Sequence, residues 1–187
     1  MHTTTFILIG ALIGVAILGI AAFILLRRRR TKGLRTQFGP EYARALQDSG
    51  DRRHAEASLE ERKKRVERFK LRPLAPGDRT RFTESWRRVQ ARFVDEPKGA
   101  VTEADQLLGD VMSTRGYPVS DFVQRTADIS VDHPRVVENY RAAHDIALRH
   151  AQGQASTEDL RQAMIHYRTL FVELVGEPEV ASVKAAS

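Results

Sequence analysis

The chain has no cysteine among its 187 residues. Disulfide frameworks, Cys-ligated zinc, iron–sulfur clusters and thiol catalysis are excluded with it. Glycine-rich phosphate loops are missing too: neither GxGxxG nor GxxxxGK[ST] occurs, and no GxSxG marks a serine nucleophile. The six histidines fall in none of the HxxxH, HExxH or ExxH spacings that hold a metal. After Leu26 no stretch alternates apolar and polar residues at period two, and no Val/Ile/Thr-rich run is bounded by turns. Strands are therefore not predicted. No internal repeat is seen. These absences leave no template for a catalytic, cofactor or metal site.

Charge of one sign is scarce except in one place. Residues 27–35 hold six positive and no negative side chains, residues 36–96 hold 15 against 11, and residues 97–187 hold 9 against 13. The formal net charge of +6 thus equals the short cluster alone, and the remainder is balanced. A folded domain with a basic nucleic-acid surface is not what this pattern describes.

What is present is one long oily run. Residues 6–26 read FILIGALIGVAILGIAAFILL, broken only by glycines. At about 1.5 Å per residue such a helix spans roughly 31 Å, the thickness of a bilayer's hydrocarbon core. A cleaved signal peptide would carry its positive charge before a shorter run, with small residues at a cleavage site behind it. Here MHTTT precedes the run, and Arg27, Arg28, Arg29, Arg30 and Lys32 follow it. The expectation is a retained single-pass anchor in the cell (inner or cytoplasmic) membrane. Positive flanks stay inside, so the amino terminus faces outward and the rest of the chain the cytoplasm. The same basic residues lie where anionic lipid headgroups lie. Gly10 and Gly14 form a GxxxG spacing, with Ala21 seven residues further on the same face. That pattern suits a helix homodimer, and equally suits plain helical padding.

The soluble part reads as helices throughout. Residues 27–40 are expected to be a basic connector, closed by Gly39-Pro40. Residues 41–77 form a charged helical segment, with 14 of the 22 residues from 51 to 72 charged. Leu59, Val66 and Phe69 make a thin seam there, either a short coiled coil or an amphipathic face laid on its own domain. Residues 78–176 follow as a bundle of four or five helices, and residues 177–187 as a disordered tail. Apolar stripes at helical spacing are Phe82, Trp86, Val89 and Phe93; then Val101, Ala104, Leu108, Val111 and Met112. Val137, Tyr140, His144 and Ala147 form the next, then Leu160, Ala163, Met164, Tyr167, Phe171 and Leu174. Ser120 or Asp121 can cap a short helix, and Asp132 before Pro134 marks another start. Ser156 and Asp159 open the last helix as a capping box. The fold class is all-α: an N-terminal transmembrane helix (residues 6–26, after a short outer segment 1–5), a charged linking helix, and a bundle ending in an antiparallel hairpin.

Candidate chemistry is thin. His144 and His166 fall on facing helices near Tyr140 and Tyr167, where a pocket can be drawn; hydrogen-bonded core histidines account for them as well. Tyr117, in the turn Arg115-Gly116-Tyr117-Pro118, suits an interface anchor or a residue folded back on the core. Trp86, the single tryptophan, suits core filling. The paired acids Asp95-Glu96 and Glu158-Asp159 sit at helix ends, where backbone amides explain them.

The strings Trp86 to Pro97 (WRRVQARFVDEP), Ala104-Asp105, Arg115-Gly116-Tyr117-Pro118, Asp132-His133-Pro134, Tyr140 to His144 (YRAAH), Ser156 to Met164 (STEDLRQAM) and Tyr167-Arg168 carry a likeness. Over about residues 38–175 the chain resembles a group of uncharacterised bacterial, membrane-anchored proteins with no assigned activity, cofactor or ligand. The resemblance implies a single-span bacterial protein with a helical soluble domain, and no functional residue. Arginine outnumbers lysine 24 to 6, which suggests a GC-rich bacterial genome. Function is therefore expected to be that of a membrane-tethered, non-enzymatic scaffold with an unidentified protein partner. The alternative is a small-molecule- or lipid-binding bundle, with or without enzymatic activity, whose pocket lies between the last two helices.

Overall fold

The structure, a computed structural model, describes residues 2–118 and 120–176, without the side chains of 2–13, 15 and 16. Eight helices and no strand are found among the described residues. The chain is all-α. It divides into two compact units, residues 1–60 and 61–187.

The first unit begins with α1 (His2–Phe38), a helix of 37 residues. Residues 27–38 are part of it, not a connector. Arg, Lys, Leu and Thr continue a helix at little cost, and a single glycine at position 33 costs only about 1 kcal/mol. The chain breaks at Gly39, which has φ +49°, and Pro40 then opens α2 (Pro40–Ser49). Gly50 ends α2, and the Asp51 carboxylate accepts from the amides of Arg53 and His54 to cap α3 (Arg52–Val66). Leu34, Phe38, Tyr42, Ala45, Ala55 and Leu59 are buried and make this unit's small core.

The second unit takes the end of α3 and five further helices: α4 (Pro76–Asp95), α5 (Pro97–Arg115), α6 (Phe122–Asp132), α7 (Val137–Ala151) and α8 (Thr157–Val175). Residues 41–77, expected as one charged segment, thus contain two helices and a non-helical crossing from residue 67 to 75. The crossing is pinned to the end of α5, where the Arg72 amide donates to the Arg115 carbonyl at 2.9 Å. The seam expected along the charged helix is buried within the chain, with Leu59 and Val66 under 6% exposed and Phe69 packed on the core.

Packing follows the stripes. Phe82, Trp86 and Val89 of α4, Val101, Ala104 and Leu108 of α5, and Leu160, Tyr167, Leu170 and Phe171 of α8 are buried together. Trp86 stacks on Phe171, ring centroids 4.8 Å apart. α7 and α8 run antiparallel: Asn139 meets His166, Tyr140 meets Tyr167, and Arg149 meets Asp159 at the far end. Ser156 and Asp159 form the expected capping box. Asp121 caps α6 by accepting from the Gln124 amide. A helix boundary in this unit also differs from expectation. Asp132 closes α6 and does not open α7, which begins only at Val137; its carboxylate accepts from the Tyr117 hydroxyl at 2.8 Å. The expected tail, residues 177–187, lies outside the described residues.

Candidate functional site

Two places concentrate chemistry, one in each unit. In the first, residues 17–26 of α1 show a sleeve and not a stripe. Ile17, Leu18, Ile20, Phe23, Ile24, Leu25 and Leu26 each expose 44 to 71% of their surface. Successive residues of a helix point about 100° apart, so these seven cover every side. Monomeric soluble proteins rarely expose a contiguous apolar surface of that kind. Arg27, Arg28, Arg29, Arg30 and Lys32 follow at once, all exposed. Among the described residues no helix is long and apolar enough to cross a membrane. Most of the run from 6 to 16 lies outside the residues whose side chains are described. So does Gly10; Gly14 has open space where a side chain would stand, and Ala21 is exposed.

Within this basic collar, at Thr31, α1 is joined to α2 and α3 by one carboxylate. Glu56 accepts from the Thr31 hydroxyl, the Tyr42 hydroxyl and Arg52 Nε, each at 2.9 Å. Arg52 Nη2 also donates to the Thr31 hydroxyl at 2.8 Å, which closes the ring. Burial alone would push the Glu56 carboxyl up. The hydrogen bonds from Arg52, Tyr42 and Thr31 outweigh it and hold the group below its ordinary value. Beside this ring lies a groove of about 430 Å³ with Phe23, Leu26 and Ala57 as its apolar part and Arg27, Arg30 and Arg53 as its basic part. Glu56 forms one stretch of its wall.

In the second unit a polar cluster stands inside an apolar bundle. Tyr140 and Tyr167 are fully buried, and Arg125 Nη1 donates to the Tyr140 hydroxyl at 2.8 Å. Arg125 Nη2 is held by the Ser120 carbonyl at 3.1 Å. The Tyr167 hydroxyl and Asp105 Oδ1 are buried without a hydrogen-bond partner among the described residues. Burial first, then the Asp105 charge, pushes both phenols up from their ordinary value. A depression of about 290 Å³ opens against Asp105 and Arg125, with Asp110, Met112 and Pro118 around it.

The remaining candidates separate. His144 stacks on Phe122 at 3.5 Å between centroids, and Phe122 in turn lies against Tyr140. His166 bonds the Asn139 side chain at 2.8 Å through Nδ1. Both histidines are half-buried. Tyr117 is buried, edge-on to Phe69 and bonded to Asp132; burial, then the Asp132 charge, raises its phenol. Trp86 is in the core, its indole N–H without a hydrogen-bond partner among the described residues. Among the described residues no group of three His, Asp or Glu side chains stands where a metal could be held.

Sequence reasoning missed Glu56, Asp105, Arg125 and Asp128. Asp128 is 2% exposed and accepts from Arg65 Nε and Gln124 Nε2, both at 2.8 Å. A signal existed for Asp105: it follows Ala104 on the edge of the α5 stripe, where an acid is unusual. Glu56 carried none, being one charge among many. Comparison with protein-family models, with curated proteins and with solved structures finds no match to this chain.

Proposed function

We propose that this protein is a membrane-tethered helical interaction module. Its residues 6–26 form a single span, its amino terminus faces outward, and both folded units stand on the cytoplasmic side. The observation that carries this is the abrupt change along α1. A sleeve of exposed apolar side chains ends at Leu26, and four consecutive arginines begin at the next residue. Water penalises each fully exposed large apolar side chain by about 1.5–3 kcal/mol relative to burial, whereas lipid removes that cost. The arginines then sit at headgroup depth and set the orientation. The folded units present mixed charge to the cytoplasm and act by holding a protein partner at the membrane.

Two measurements on the full chain test this. Alkaline carbonate should leave the protein in the membrane pellet, and a fluorescent protein fused after Ser187 should glow while a periplasmic phosphatase at the same place stays inactive. Release by carbonate, or an active phosphatase, overturns the reading. Proximity labelling from that fusion should return a protein neighbour enriched over a span-only control.

A second reading has its own observations: the Tyr167 hydroxyl and an Asp105 oxygen are buried without a partner among the described residues, and Asp105 lines a depression with Arg125. Buried polar groups without partners accept one readily. In this reading the second unit binds a small polar molecule, and a ligand that raises its melting temperature would favour it over a pure scaffold.

A further inference from the structure

We propose that the groove beside the collar is a discrete site for the phosphate of one anionic phospholipid. The inference rests on the membrane-span reading and adds a stoichiometric site to it. Phe23, Leu26, Arg27 and Arg30 are spaced 3, 1 and 3 along α1, so they share one face. α3 brings Arg53 and Ala57 to the same groove. The result is an amphipathic cleft: Phe23 and Leu26 belong to the oily sleeve, and Arg27, Arg30 and Arg53 line the same groove.

The electrostatics favour an anion. Arg27 and Arg53 make no side-chain hydrogen bond or ion pair among the described residues. Arg30 spends only Nε, on Glu60 at 3.0 Å, and its side chain remains 57% exposed. The one acid in the wall, Glu56, is already answered by Arg52 and by two hydroxyl donors. Guanidinium pairs offer parallel N–H donors that fit phosphate oxygens. At about 430 Å³ the groove is in the range of small-molecule sites. A bilayer lipid supplies both halves of the match, its phosphate to the arginines and its acyl chains to Phe23 and Leu26. A free phosphate ester supplies only the first.

The groove also tells the arginines apart. Arg28 is next to Arg27 in sequence but about 100° around the helix, and it does not line the groove. A diffuse collar would treat Arg28 and Arg53 alike; a built site would not.

The test uses the full chain in nanodiscs of phosphatidylcholine with a minor fraction of phosphatidylglycerol, and native mass spectrometry of the lipids it retains. Wild type should retain phosphatidylglycerol above its bulk fraction. Arg53→Gln should lower that enrichment about fivefold, whereas Arg28→Gln, with the same loss of charge, should change it less than about twofold. Arg53→Lys should restore part of it, and helical circular dichroism confirms that each variant is folded. Equal effects of the two glutamine variants, or no enrichment in wild type, would overturn the site. Displacement of the lipid by soluble glycerol phosphate at similar concentration would overturn the lipid as its source. A chain that fails to enter nanodiscs sinks the membrane reading and this site together, whereas one that enters normally and ignores Arg53 sinks only the site.

Discussion

Two residues carry more consequence than their place in the sequence advertises. Glu56 holds three donors from three helices, and charge-assisted hydrogen bonds contribute about 1.5–3 kcal/mol each in favourable cases. Its folded carboxyl is held low, so its contribution is complete above the ordinary value of about 4.5 and is lost as pH falls through the folded one. Glu56→Gln should therefore destabilise the first unit by about 1–3 kcal/mol at neutral pH, and the difference from wild type should shrink below pH 4.5. Hydrogen exchange of the α2 and α3 amides measures it. The two core tyrosines should respond differently to loss of the hydroxyl. Tyr140→Phe strands Arg125 and should cost about 1–3 kcal/mol, whereas Tyr167→Phe removes an unpaired hydroxyl and should be neutral within about 0.5 kcal/mol, or stabilising. Urea unfolding followed by Trp86 fluorescence reads both. A clear loss from Tyr167→Phe in the ligand-free protein would mean that Asp105 already partners the hydroxyl, and would remove the observation behind the ligand-binding reading.

At the scale of elements, the turn after α5 is the most constrained joint. Gly116 has φ +98°, and a Cβ there would stand 2.5 Å from the Lys70 carbonyl oxygen. Both the backbone conformation and the crossing segment of residues 67–75 demand glycine. Gly116→Ala should cost about 1–3 kcal/mol or more, seen as a lower denaturation midpoint of the second unit. How far elements were legible follows from the same physics. The stripes of α4, α5 and α8 were readable because a buried helix face repeats every three to four residues, and the Ser156–Asp159 box because capping is local. The expected connector at residues 27–40 is helix as far as Phe38, since glycine at position 33 alone does not stop a helix whose neighbours favour it. Asp132 misled because its partner, Tyr117, is fifteen residues away, and a distant partner leaves no periodic trace. The polar site in the second unit was half legible for that reason. Its tyrosines lie on stripes, but Asp105 and Arg125 are joined to them only by the fold.

For the whole molecule, the division at residue 60 makes a prediction of its own. A fragment of residues 61–187 contains Trp86, the stacked Phe171 and the full apolar core of α4, α5, α7 and α8. Domains with their own core fold alone. The fragment should unfold cooperatively, at the same urea midpoint that Trp86 reports in the full chain. A molten fragment, or a midpoint far below that of the intact protein, would show that the first unit is needed for the second to fold.

α1 runs as one helix from the oily sleeve to Phe38, with no hinge between the last leucine and the ring around Glu56. Twelve residues of uninterrupted helix beyond the sleeve make a rigid arm of about 18 Å. With the span seated in lipid as proposed, any tilt forced on it by a thinner or thicker bilayer swings that arm as a lever. The junction of Thr31, Tyr42, Arg52 and Glu56 then receives the motion directly, and the protein becomes a transmitter of membrane mechanics to its first folded unit.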